Sequence, residues 1–196
     1  MVDIKKENLT QDEHDILNQC RKGNKHAYRL IIEKYKDTIY STVLRFTHDH
    51  TTAEEITQET FVKAWQNLNR FEGRSKFSTW LIAIAVNKAK DVIKDKHRTL
   101  NTLNVDTVTE GTITQSYDIK PPEELIMDNE LGLQLKRFID ELPDIYREAF
   151  ILRHVDLLSY EEISVISRVS VEAVKMRVFR AREILKERFY REEKNG

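Results

Sequence analysis

From His26 to about Phe46, the apolar residues Tyr28, Ile31, Ile32, Tyr35, Ile39, Val43 and Phe46 follow a helical period. Each residue of a helix turns about 100° from the last, so these side chains share one face. No stretch shows the apolar–polar alternation of a strand, and no internal repeat is present. Breakers are few, with 5 Gly and 3 Pro in 196 residues, which also favours helices. Hydrophobic residues make up 40% and charged residues 33%, enough for a core with a charged exterior. An all-α fold is expected.

The chain divides by texture. Residues 1–9 read as a loose tail. Thr10 with Glu13 is a capping-box signature, and Gly23 stops a short helix. "HDHTTAEE" breaks the pattern. Thr52 with Glu55 then caps a helix reaching about Leu68, and Ser78 or Thr79 opens another reaching about Lys96. Residues 99–119 lack a period and are rich in Thr, Asn and Asp, as linkers are. Pro121 and Pro122 open a helix to about Glu141, and Pro143 stands at the next start. Two short helical stretches and a charged tail follow. The expected organisation is two small helical domains, residues 1–98 and 121–196, joined by a flexible acidic linker, 99–120.

A net charge of −1 conceals two cationic patches. Arg70 to Arg98 holds 8 basic and 3 acidic residues, Thr99 to Glu130 holds 1 and 7, and Arg168 to Arg182 holds 5 and 1. A solvated surface usually mixes its signs. Two separated patches point to two contacts with a polyanion.

The first patch contains "FEGRSKFSTWL". Phe71, Phe77 and Trp80 lie among Arg74, Lys76 and Gly73. On the helix that follows, Leu81, Ile82, Ala85, Val86, Ala89, Val92 and Ile93 form the core side. Asn87, Lys90, Lys94 and Arg98 form a separate stripe below Trp80. Rings beside aligned cations suit single-stranded nucleic acid, which offers base faces and phosphates together. The alternative is that the three rings pack the helix junction.

The second patch, "LSYEEISVISRVSVEAVKMRVFRARE", has helix-turn-helix spacing. Ser159 and Glu162 form a capping box, the turn falls near Arg168 and Val169, and Ser170 caps the second helix. There Val174, Val178, Ala181 and Leu185 face the core. Glu172, Lys175, Met176, Phe179 and Arg180 project outward, a mixture that fits a major groove. The alternative is a hairpin that packs on a partner protein. A third surface comes from "AEEITQETFVKAW". Ile56, Thr60, Phe61, Ala64 and Leu68 face inward, and Glu55, Gln58, Glu59 and Val62 form an outward stripe. Its acidity would repel DNA, and a solvated face is the simplest account of it.

Other classes find little support. The longest apolar run, Trp80 to Val86, is far short of the roughly 20 residues that span a bilayer. The polar N-terminus has no signal-like stretch, so a cytoplasmic protein is expected. Cys20, the only cysteine, excludes an internal disulfide and a Cys-based zinc site. His48, His50, Glu54 and Glu55 match no metal spacing. No phosphate loop or nucleophilic triad is present. Neither a metal, a cofactor nor enzymatic activity is expected.

The segments "TAEEITQETFVKAW", "FEGRSKFSTWLIAIAVNKAKD", "PPEELI", "LPDIYREAFILRHVDLLSYEEIS" and "VEAVKMRVFRARE" occur in order over roughly residues 24–190. Together they resemble the extracytoplasmic-function (ECF) sigma factors of the sigma-70 family of bacterial RNA polymerase. The resemblance implies a two-domain helical subunit that binds core polymerase and directs promoter-specific initiation, in a stress or envelope response. It implies that Glu55, Gln58, Glu59 and Val62 grip the coiled coil of the β′ clamp. Phe71, Arg74, Lys76, Phe77, Trp80, Asn87, Lys90, Lys94 and Arg98 would meet the melted minus-ten element, with a base flipped into the 71–77 loop. Arg168, Ser170, Glu172, Lys175, Met176, Phe179 and Arg180 would meet the minus-thirty-five element as duplex. The acidic linker would pass near the polymerase active centre. An anti-sigma factor, membrane-bound in many relatives, is an implied partner. Glu55 stands where Asp is more usual, and Glu172 and Met176 replace small residues. A free-standing helix-turn-helix regulator, dimerising through its N-terminal helices, explains the second patch but neither the first nor the Gln58, Glu59 stripe.

Overall fold

The computed structural model describes residues 11–103 and 130–195, and the regular structure among them is helical. These residues form two compact units. In the first, α1 (Gln11–Arg21) packs on α2 (Lys25–Thr47), and α2, α3 (His50–Asn67) and α4 (Phe77–Leu103) pack on one another. Gly23 turns the chain after α1 at φ +84°, a conformation glycine reaches without a Cβ clash. Asn24 caps α2, its side-chain oxygen accepting the N–H groups of His26 and Ala27 at 3.0 and 3.2 Å. Glu13 of α1, buried against α2, accepts from Lys34 at 2.9 Å and from the Tyr35 hydroxyl. Burial, and then that carboxylate, push the Tyr35 phenol well above its usual range.

The junction between α2 and α3 differs from the sequence expectation. His48 ends α2 in the left-handed conformation, φ 52°, its N–H donating to Leu44 O at 2.9 Å. Asp49, not Thr52, caps α3: its carboxylate accepts the Thr51 N–H at 3.2 Å and the Thr52 hydroxyl. An aspartate ahead of two threonines is the stronger acceptor for the open N–H groups. Thr52 becomes a buried residue of the first turn. Lys96 reaches this corner from α4, 3.2 Å from Thr52 Oγ1 and 3.6 Å from Asp49 Oδ2.

Helix α4 starts at Phe77, ahead of Ser78 and Thr79. It continues to Leu103, past the end expected near Lys96 and the domain limit expected at residue 98. No Gly or Pro lies between 97 and 103 to stop it. Of its expected core face, Leu81, Ile82, Ala85, Val86 and Ala89 are buried, and Val92 and Ile93 are half-buried.

In the second unit, α5 (Glu130–Asp140), α6 (Asp144–Phe150), α7 (Tyr160–Ser167) and α8 (Val171–Asn195) follow in order. Pro143 caps α6, and a wider π-type turn, Ile151–Val155, extends it. The long α8 packs on α5, α6 and α7. Its Val174, Val178, Ala181 and Leu185 are buried, with Phe138 and Leu142 closing over the last two. Glu148 is buried as well and accepts the Ser167 hydroxyl at 2.7 Å, linking α6 to the end of α7. The expected Thr10 cap, most of the 99–120 linker and the start expected at Pro121 and Pro122 lie outside the described residues.

Replacing Asp49 by Ala removes the α3 cap, and a loss of about 1 kcal/mol is expected. Asp49→Asn, which still caps, should stay close to wild type in urea denaturation. The Thr52 hydroxyl chiefly, with Lys96 and the N–H groups of Thr51 and Thr52, outweighs partial burial and holds the Asp49 carboxyl below its ordinary 3.8. A depressed carboxyl stabilises fully above its unfolded pKa and loses that contribution as pH falls through the folded value. The gap between wild type and Asp49→Asn should therefore narrow below about pH 4.

Candidate nucleic-acid interfaces

Phe71, Phe77 and Trp80 form one cluster. The Phe71 and Phe77 rings meet edge-on with centroids 5.2 Å apart, and Trp80 lies 5.2 and 5.5 Å from them. Phe71 is 4% and Phe77 0% exposed, whereas Trp80 is half-buried. Of the two roles open to these rings, Phe71 and Phe77 take the packing role. Buried and packed on each other, with Tyr35 of α2 5.9 Å from the Phe77 ring, they present no face on which a base could stack. They hold instead the two ends of a short loop. Between them Glu72, Arg74 and Lys76 are exposed, Gly73 takes φ 72°, and Arg74 Nη2 lies 2.5 Å from Glu72 Oε2.

From Trp80 the edge of α4 continues through Asn87, half-buried, to Lys90, Lys94 and Arg98, all exposed. The structure brings these five together on one side of the helix, away from the buried face. Asn87 Nδ2 donates to Ala83 O at 2.6 Å. That bond holds the amide in place beside a line of cations.

On α3, Glu55, Gln58, Glu59 and Val62 are exposed, Val62 by 56%. With Lys63 and Gln66 they line a shallow open depression. Glu59 differs from its neighbours, because Lys88 Nζ of α4 lies 2.6 Å from its Oε2. Sequence reasoning passed over Lys88, which stands outside both the core face and the cationic edge. Its helical angle puts it at the other border of the core face, and only the packing of α3 on α4 makes that border adjoin Glu59.

In the second unit the helix-turn-helix has the expected joints. The Ser159 N–H donates to Glu162 Oε2 at 2.9 Å and the Glu162 N–H to Ser159 Oγ at 3.1 Å, a complete capping box. Arg168 ends α7 in the left-handed conformation, φ 55°, doing without the usual Gly. The Ser164 hydroxyl donates to Val169 O at 2.6 Å across this turn, and Ser170 Oγ accepts the Ala173 N–H at 3.2 Å. Arg168, Ser170, Glu172, Lys175 and Arg180 are exposed, as are Met176 (57%) and Phe179 (53%). Tyr160, at the start of α7, carries Arg153 4.7 Å and Lys175 5.9 Å from its ring centroid, and Arg153 also donates to Leu158 O at 2.8 Å. Helical periodicity gives no sign of that grouping. Backbone N–H bonding, the Ser159 hydroxyl and nearby Lys175 hold the Glu161 carboxyl below its usual range.

Residues 31–99 match Sigma-70 region 2, and residues 132–185 match Sigma-70, region 4. Over 182 residues the chain is 34% identical to the RNA polymerase sigma-H factor of Pseudomonas aeruginosa, covering 90% of this chain and 94% of that one. Over 173 residues it is 35% identical to the ECF RNA polymerase sigma-E factor of Escherichia coli, covering 87% and 90%. The chain belongs to the ECF sigma factors. This sigma factor also shares its fold with solved relatives. The sigma factor RpoE, in complex with the anti-sigma factor NepR from Bartonella quintana, superposes with a TM-score of 0.66 at 24% identity, covering 82% of this chain and 94% of that one. CnrH, in complex with the cytosolic domain of CnrY, gives 0.64 at 22%, covering 89% and 94%.

The sigma factor is thus an alternative specificity subunit of RNA polymerase, directing transcription initiation at promoters. A free-standing regulator would not account for the region 2 match, and that alternative is set aside. His50, one of the conceivable metal ligands, has its Nδ1 2.6 Å from the Tyr40 hydroxyl, and no group suited to a metal occurs among the described residues. None of the described helices is long and apolar enough to cross a membrane.

Phe77→Ala should cost about 3–5 kcal/mol, the usual range for a fully buried aromatic. Asn87→Ala, on the exposed edge, should leave the urea midpoint nearly unchanged. Equal losses for the two would mean that the α4 edge is part of the core.

Proposed function

We propose that the three surfaces divide the work of initiation. The outward stripe of α3, Glu55, Gln58 and Val62 with Glu59 behind them, docks on the β′ clamp coiled coil of core polymerase. The loop 72–76 and the α4 edge take the displaced strand of the minus-ten element. Trp80 and Asn87 meet a flipped base, and Lys90, Lys94 and Arg98 follow the phosphates. The exposed face of α8, with Arg168 and Ser170 before it, enters the major groove of the minus-thirty-five element. The acidic segment 99–120 runs near the polymerase active centre. The protein works in the cytoplasm as a non-catalytic subunit, under an anti-sigma factor and in a stress or envelope response.

One observation carries this reading: α4 buries one face and aligns a ring, an amide and three cations along another. The neighbouring α3 presents an acidic, amide-rich stripe. Cations are suited to phosphates, whereas a carboxylate stripe is repelled by them and suits a basic protein surface. Stress regulation rests on similarity to the sigma-E factors, and anti-sigma control on the complexes in which the solved relatives occur. The direct test is co-purification with core polymerase in the absence of DNA, where stoichiometric binding is expected.

Two sets of variants refine it. Gln58→Ala with Glu59→Ala should weaken core affinity about tenfold or more while leaving the melting temperature close to wild type, since a surface ion pair such as Glu59–Lys88, with its lysine only half-buried, contributes about 0–1 kcal/mol. Unchanged core affinity in a folded double mutant would remove α3 from the interface.

Lys175→Ala and Arg180→Ala should each weaken binding of holoenzyme to the upstream element. A base-edge contact costs about 1–3 kcal/mol and relaxes one promoter position, whereas a phosphate contact lowers affinity at all sites and reduces the salt slope by about one. Promoter point variants titrated at several salt concentrations distinguish these outcomes, and no change in either variant would take α8 out of the groove.

A further inference from the structure

The minus-ten loop is held from a direction that its own sequence does not announce. Arg21, the last residue of α1, donates from Nη2 to the Phe71 carbonyl oxygen at 2.6 Å, fifty positions away in the chain. Its Nη1 donates to Asn18 Oδ1 at 3.3 Å, and Asn18 Nδ2 is 3.0 Å from His14 Nδ1. His14, Asn18 and Arg21 lie three or four apart, so one edge of α1 carries a line of side chains that ends at the loop. Phe71 is thereby gripped at each of its groups. Its N–H donates to Leu68 O at 3.1 Å, its carbonyl accepts from Arg21, and its ring packs against both Phe77 and Trp80.

We propose that Arg21 is a positioning residue for promoter recognition, fixing the first hinge of the loop 72–76 so that Arg74, Lys76 and Trp80 meet the minus-ten element in one geometry. The inference rests on the assignment of that loop to the minus-ten element. Three observations support it. A guanidinium donor at this distance makes a charge-assisted bond, stronger than the neutral bonds of the surrounding loop. Gly73 follows two residues later at φ 72°, so the chain beyond the hinge has little stiffness of its own. Arg21 is itself exposed, its bond to the carbonyl is only part-buried, and Arg21→Met keeps the apolar stem in place. Loss of the contact should therefore loosen the loop without unfolding the unit. Helix α1 lies before the stretch matched to region 2, which begins at residue 31. The positioning contact is an addition from outside that stretch.

The test uses holoenzyme with full-length sigma factor carrying Arg21→Met, which keeps the apolar stem and loses the donor, or Arg21→Lys, which keeps a donor. Open-complex formation is measured on promoters varied at each minus-ten base, alongside core affinity and melting temperature. Arg21→Met should open promoters three- to tenfold more slowly and flatten discrimination at one or more minus-ten positions. Core affinity and melting temperature should stay at wild-type values, and Arg21→Lys should recover at least half of the discrimination. Arg74→Ala with Lys76→Ala serves as the loop control. If the control is impaired and Arg21→Met discriminates as wild type does, the positioning role is overturned and the loop assignment stands. If the control also behaves as wild type, the loop does not meet the minus-ten element and both fall. A lower melting temperature with discrimination unchanged would make Arg21 a stabilising contact only, which also overturns the proposal.

Discussion

Leu81, Ala85, Val86 and Ala89 of α4 are wholly withdrawn from solvent, packed with α2 and α3. Burying a Leu or Val side chain contributes about 1.5–3 kcal/mol, and the alanines let the helices come close. A rotation of α4 by one residue, about 100°, would bring lysines toward this interface and expose its apolar groups. The rotation of a 27-residue helix is therefore set by its buried face, and the positions of Trp80, Asn87, Lys90, Lys94 and Arg98 follow from it. Surface ion pairs such as Lys88–Glu59 and Lys96–Asp49 add little to this, since exposed pairs contribute only about 0–1 kcal/mol. Their effect is local, settling which carboxylates are already engaged.

The same logic operates in the second unit on a smaller scale. Helix α8 buries Val174, Val178, Ala181 and Leu185 and so turns Lys175, Met176, Phe179 and Arg180 outward. Ser159, Glu162, Arg168 and Ser170 fix where α7 ends and α8 begins. A non-glycine residue in the left-handed conformation is tolerated at Arg168 because one residue, and not a run, adopts it. In both units the exposed cationic face is the reverse side of a core helix. The orientation of each cationic face thus depends on the same buried residues that stabilise the fold, while the charges on the outer edges can change with little effect on the core.

Much of this was legible in the chain. The buried faces of α2, α3, α4 and α8 follow from residue spacing alone, because a helix repeats regularly and water excludes the apolar side. The capping box at Ser159 was readable for the same local reason. Local rules misplaced the start of α3, where Thr52 with Glu55 has the spacing of a cap but Asp49 supplies the better acceptor. They also ended α4 too early. The rings of "FEGRSKFSTWL" were ambiguous, since a buried ring and a base-stacking ring have the same composition around them.

What the sequence determined by itself was the helical class, the inward and outward faces, and the charge that each outward face carries, all properties of one helix at a time. Only the tertiary structure decided which faces adjoin. It enclosed Phe71 and Phe77 while leaving Trp80 at the surface, set Lys88 against Glu59, and brought Arg21 to the Phe71 carbonyl. These contacts join residues 29 to 50 positions apart or depend on how three helices close around a ring. Periodicity reports the angle of a side chain about its own axis and contains nothing about the neighbour it meets.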